Sequence, residues 1–153
     1  MTFTPGLTSA VDLFHKLQRD IGRLDRVVSR DCFFDLVITG YSLIDWVKND
    51  MSLPSAARDE ALSGQLHQQP WLKVCGDLAT ASKHFVLKHR APVVTSASSR
   101  TGYGLGRYGI SCYGDGEENI EVEVAGKVWA AREFAVGVLQ AWLQFFERHG
   151  VST

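Results

Sequence analysis

The sequence predicts a mainly α domain of α+β class. It is a bundle of four longer helices plus a short one, with a small antiparallel β element (about 92–125) before the last helix. Three observations carry this. Apolar residues recur at three- and four-residue steps through most of the chain, the spacing of one helix face. Between 92 and 125 the pattern changes to β-branched and aromatic residues, and "IEVEV" alternates with a period of two. No linker or internal repeat divides the 153 residues, a length that fits one domain, 1–153, with its own core.

The first helix starts near residue 9, where Ser9 and Asp12 have the spacing of a capping box. Val11, Phe14, Leu17, Ile21, Leu24 and Val28 form its apolar face, with Arg19, Asp20, Arg23 and Arg26 largely elsewhere. The second segment, "SRDCFFDLVITGYSLIDWVKND", is apolar around most of its circumference, as expected of the helix at the centre of a bundle. A narrow strip of Asp31, Asp35, Ser42, Asp45 and Asn49, with Ile38 among them, interrupts it. Gly40 lowers helix propensity there but lets a neighbouring helix approach closely.

Ser52 and Pro54 are start signals for a short helix over about 54–66. Pro70 opens another, from Trp71 to about His89, whose predicted core face is Trp71, Val74, Cys75, Leu78, Ser82 and Phe85. Pro92 and "TSASSRTGYGLGRYG" end the helical region. "APVVTSA", "YGISCYG" and "NIEVEVAG" then predict two or three short strands, with "YGDGEEN" as a turn between the last two. "KVWAAREFAVGVLQAWLQFFERHG" returns to the helical period through Val128, Phe134, Val138, Trp142 and Phe145. Arg148 and His149 suit its negative end, and Gly150 stops it.

Bulk properties exclude several classes. Hydrophobic content of 45% with 22% charged residues is globular, and a net charge of −1 gives no global attraction to nucleic acid or anionic membranes. Cys32, Cys75 and Cys112 form no CxxC pair, so they predict buried free thiols rather than a zinc site or disulfide framework. The N-terminus lacks a signal-peptide pattern and no window is apolar enough to span a bilayer, so a cytoplasmic protein without membrane contact is expected.

The stretch "CGDLATASKHFVLKHR" carries the main candidate site. Asp77 and His84 lie within about 20° of each other on a helical wheel, flanked by Lys73, Thr80 and Lys88. They are two turns apart and cannot touch without a third group, while Lys83 lies on a different edge. A solvated polar face explains these residues. So does a site in which Asp45 or Asp35 pairs with His84 and Lys88 and orients the imidazole for general acid–base chemistry. Structural polar glue between helices is a third account. Asp31 and Asp35 lack metal-ligand spacing, so neither a metal nor a cofactor is expected.

The run "TGYGLGRYG" offers free amides for an anion, but a phosphate-binding fingerprint needs a helix directly after it, whereas strand-like residues follow here and the Gly-Lys-Ser/Thr ending is missing, so the run suits a hairpin loop. Arg100, Tyr103, Arg107 and Tyr108 interleave cations and aromatics, which a nucleotide, single-stranded nucleic acid or protein could use. No GxSxG, HExxH or catalytic cysteine context is present.

"YSLIDW" followed one helix later by "CGDLATASKH" resembles a pattern in helical proteins of bacteria and phages, where the second element reads Asp-Leu-Ala-Asn-x-x-Lys-His. Asp77, Leu78, Ala79, Lys83 and His84 match it, and Thr80 replaces the asparagine. The helical layout also resembles the HEPN-like bundles, many of which are ribonucleases of toxin–antitoxin or antiphage systems. Their Arg-to-His spacing of four to six residues is missing here, since Arg58 to His67 is too long. The leading expectation is therefore a non-catalytic interaction or regulatory module that contacts protein or RNA, as a homodimer or with another partner. The alternatives are a metal-independent ribonuclease with His84 as acid–base, supported by Asp77, Lys83 and Asp45, and a nucleotide or small-molecule binder using the 100–109 loop.

Overall fold

The computed structural model describes residues 4–84, 91–101 and 117–153. Among these residues there are six helices and three strands, and the helices make the core, as the sequence predicts. Helix α1 spans Ala10–Arg26 and α2 spans Arg30–Asn49. The Ser9 hydroxyl accepts from the Asp12 amide (3.0 Å), and the Asp12 carboxylate accepts from the amides of Thr8 (2.9 Å) and Ser9 (3.0 Å). These bonds satisfy amides that the first helical turn leaves open. Asp50, just past the end of α2, takes the Ala10 amide at 2.8 Å, so α1 is capped by its neighbour as well as by its own sequence.

Helix α2 packs against α1 and three later elements: α3 (Ser55–Leu62), α5 (Pro70–His84) and α6 (Ala131–Arg148). Gly40 makes this crowding possible. A Cβ there would lie 3.2 Å from Val138, 3.5 Å from the Cys75 sulfur and 3.8 Å from Leu17, one atom from each of three helices. The Trp142 indole donates to the Gly40 carbonyl at 3.1 Å, which satisfies a ring N–H buried in the bundle.

Three expectations need correction. The short helix predicted over 54–66 is α3 followed by a separate single turn, α4 (Gln65–Gln68). Gly64 at φ +82° takes the left-handed conformation that breaks a helix. The last helix does not begin at Lys127. Residues Lys127–Ala130 form strand β3, joined to β2 (Asn119–Val124) by Ala125 and Gly126, both at positive φ. Two consecutive positive-φ residues make the turn that matches strand twist, and Ala at the first position hides that turn in sequence. Val128, expected on a helix face, is an exposed strand residue instead.

The third correction concerns α5. Its buried residues are Leu72, Val74, Cys75, Gly76 and Asp77, while Trp71 and Leu78 are half-buried and Ser82 is exposed. The helix is covered on two sides, by α2 and α6 and by strand β1 (Val94–Arg100), so burial wraps beyond one apolar face. Phe85, Lys88 and His89 lie outside the described residues, as does "YGISCYG" with Cys112.

The sheet is antiparallel in the order β1-β2-β3. Its register pairs Arg100 with Asn119, Ala97 with Val122 and Val122 with Trp129, and an irregularity falls between Val94 and Ser96. The alternation read in "IEVEV" is real: Ile120 and Val122 are buried, whereas Glu121 and Glu123 are not. Trp71 locks the sheet to the bundle, meeting Trp129 at 4.8 Å and Phe134 at 5.9 Å. A Cβ on Gly137 would come within 2.4 Å of the Trp71 ring, so only glycine fits beneath it. Gly150 (φ +66°) ends α6, its amide bonding Glu147 and the next amide bonding Phe146.

Candidate functional site

Asp77 is the residue whose surroundings differ most from expectation. It is 1% exposed, and one carboxylate oxygen accepts from the backbone amides of Val93 (2.6 Å) and Val94 (3.2 Å). Those amides open β1, where the chain leaves the helical region, so the acid ties the sheet to α5. A charged acceptor for two neighbouring N–H groups is a strong local anchor. It also explains why a carboxylate can sit inside the bundle.

Lys83 and His84 are exposed at the C-terminal end of α5. Positive charge there is favoured by the helix dipole. Asp45 is exposed on α2, eleven residues beyond Phe34, or roughly 16 Å along the axis. Asp77 and His84 are seven residues apart on α5, roughly 10 Å along its axis. Of the strip, Asp31, Asp35, Ile38, Asp45 and Asn49 are exposed and Ser42 is half-buried, while Gly40, on the other side of α2, faces Cys75. The strip therefore points away from α5 and does not supply the third group that Asp77 and His84 would need. Asp35 sits 3.5 Å from Arg23 instead.

What adjoins the end of α5 is a groove of about 450 Å³ between α2, α5 and the sheet. Phe33, Phe34 and Val37 line one wall, Leu78 and Ala81 another, and Ile120 closes it from the sheet. Phe34 is 45% exposed, a large aromatic left open beside the groove. His84 follows Ala81 by three residues and so stands one turn beyond the groove on nearly the same side of the helix. Arg30, Ser82, Ser98 and Ser99 form its polar edge, and Arg100 is exposed at the end of β1. Tyr103, Arg107 and Tyr108, expected to share a ligand with Arg100, lie outside the described residues.

Glu118 fixes the edge of this groove. Its side chain takes the Arg30 amide and, at 2.8 Å, the Arg30 guanidinium, while the Glu118 amide donates to the Val28 carbonyl at 2.8 Å. Burial alone would raise its carboxyl. The hydrogen bonds from the Arg30 side chain and amide, the Arg30 charge and a bond from Ser99 outweigh that and hold it below the usual glutamate range. Nearby, Arg132 donates to the Asp25 carbonyl at 3.0 Å and pairs with Glu117. Together these contacts clamp the start of β2 to the α1–α2 connection.

Sequence reasoning missed a second buried acid. Asp20 is 0% exposed and accepts from Lys16 Nζ (2.6 Å), the Thr39 hydroxyl (2.7 Å) and Arg23. Lys16 also donates to the Thr39 oxygen at 2.9 Å, closing the network. The signal was present: Lys16, Asp20 and Arg23 are spaced as i, i+4 and i+3 neighbours. What the sequence could not show was Thr39 arriving from α2 to cover them. Burial pushes the Cys75 thiol well up, as expected of an inert core cysteine.

Among the described residues no group of three His, Cys, Asp or Glu side chains could hold a metal ion, and no helix is long and apolar enough to cross a membrane. No protein-family model, curated protein or solved structure matches this chain.

Proposed function

We propose that the protein is an interaction module whose contact surface is the groove between α2, α5 and the sheet, and that its occupant is an acidic protein segment carrying an apolar side chain. The observation that carries this reading is an open aromatic groove formed by elements whose ends carry exposed positive charge. Lys83, His84 and Arg100 are exposed and have no ion-pair partner among the described residues. Phe33, Phe34, Val37 and Ile120 offer an apolar seat, and the exposed cations at the ends of the elements that form it, Lys83 and His84 on α5 and Arg100 on β1, favour carboxylates flanking the inserted side chain.

The use of Asp77 as a backbone anchor supports contact over catalysis, because that acid is already committed to Val93 and Val94. The test is fluorescence anisotropy with a labelled peptide that alternates leucine and phenylalanine with aspartate and glutamate. Saturable binding weakened by Lys83→Glu and by Arg100→Glu is expected. No binding, or equal binding of the lysine-substituted peptide, overturns the proposal.

Two further measurements distinguish the other occupants. RNA turnover abolished by His84→Ala replaces this reading with the ribonuclease one. A concentration-dependent dimer disrupted by Lys83→Glu in sedimentation puts a second copy of the chain on the groove.

A further inference from the structure

A second concavity, about 470 Å³ in volume, lies between the C-terminal half of α2 and the α3–α4 corner. Its size falls within the range of small-molecule sites. Tyr41 and Trp46 reach it from α2 and His67 from α4. The Tyr41 and His67 rings meet edge to face, 5.9 Å apart with planes at 68°, and together form an aromatic wall of the cleft. Asp45 follows Tyr41 by one turn on the same helix, with the Ser42 hydroxyl beside it.

The Asp45 carboxylate is the one acid of the α2 strip that lines this cleft. Its Oδ1 accepts a long bond from Asn49 at 3.3 Å, and Oδ2 has no hydrogen-bond partner among the described residues. Lys48 stands at the cleft and forms no ion pair with Asp45 among the described residues. A carboxylate only accepts, and its two oxygens match a pair of adjacent N–H donors.

We infer that this cleft binds a planar heteroaromatic ring whose edge carries two adjacent N–H donors, of which guanine is the common biological case. The aromatic side chains supply stacking, and Asp45 reads the ring N–H and the exocyclic amino group together. Adenine presents an amino group beside a ring acceptor, which a carboxylate repels. The cleft thus selects guanine over adenine by charge rather than by shape. The site is separate from the α5 groove, and neither reading depends on the other.

The test is calorimetric titration of the full chain with guanosine and with adenosine, on the wild type and on Asp45→Asn. Guanosine should saturate the wild type, and adenosine should bind at least about tenfold more weakly, the loss expected when a charged hydrogen bond goes unmade. Asp45→Asn should weaken guanosine by a similar factor, with thermal melting unchanged because the side chain is exposed. Failure of guanosine to saturate, equal binding of the two nucleosides, or full guanosine affinity in Asp45→Asn each overturns the assignment. The nucleoside comparison on the wild type needs no variant, so a folding defect in Asp45→Asn leaves the assignment open to refutation.

Discussion

Replacing Asp77 tests the anchor that joins the helical bundle to the sheet. Its buried carboxylate accepts from two consecutive amides, at 2.6 and 3.2 Å. A hydrogen bond to a charged group contributes about 1.5–3 kcal/mol, and the longer bond belongs at the low end of that range. Removing the carboxylate also removes the cost of burying it, which offsets part of the loss. Asp77→Ala should therefore cost about 2–4 kcal/mol, or roughly 4–16 °C in melting temperature for a chain of this size. Asp77→Asn keeps an acceptor oxygen without the charge and should cost about 1–2 kcal/mol. Urea unfolding followed by circular dichroism measures both, and hydrogen exchange at the Val93 and Val94 amides reports the local effect. A loss below about 1 kcal/mol in Asp77→Ala, with both amides still protected, would refute the anchor.

Other substitutions probe the remaining joints. Gly137→Ala places a methyl within 2.4 Å of a Trp71 ring that is itself held by Trp129 and Phe134, so it should destabilise by about 1–3 kcal/mol, read as a lower urea midpoint. Ala125→Asn puts a residue suited to positive φ before Gly126 and should stabilise by about 0.5–1 kcal/mol; a lower melting temperature would contradict the turn. Because the Glu118 carboxyl is held below its ordinary 4.5, its contribution to stability is complete above that pH and is lost as pH falls through the lower folded value. Glu118→Gln should accordingly reduce stability near neutral pH and flatten its decline below pH 4.5; an unchanged acid limb would exclude Glu118 as a cause of that decline.

The long helices were legible because their signals are local. Ser9 with Asp12, the three- and four-residue apolar steps and Gly150 each act within one or two turns. The short elements were not. Ala125 disguises a tight turn, so β3 reads as the start of α6, and Gly64 divides a helix whose apolar pattern runs on. The candidate site suffered most, because burial of a polar residue depends on which element arrives to cover it. Asp77 reads as part of a polar face until β1 presents two amides to it, and Asp20 reads as solvated until Thr39 closes over it. Conversely, the sequence offers Asp45 as a partner for His84, but the rotation of α2 that brings Gly40 to Cys75 turns that strip outward.

The function assigned to the groove is tested most directly by mapping amide chemical shifts during titration with the acidic, apolar peptide. Shifts concentrated at Phe34, Ala81, Ser82 and Ser98, and lost when the peptide's acids become lysines, are the predicted result. Shifts scattered over the surface, centred elsewhere, or indifferent to the sign of the peptide's charge would contradict the account.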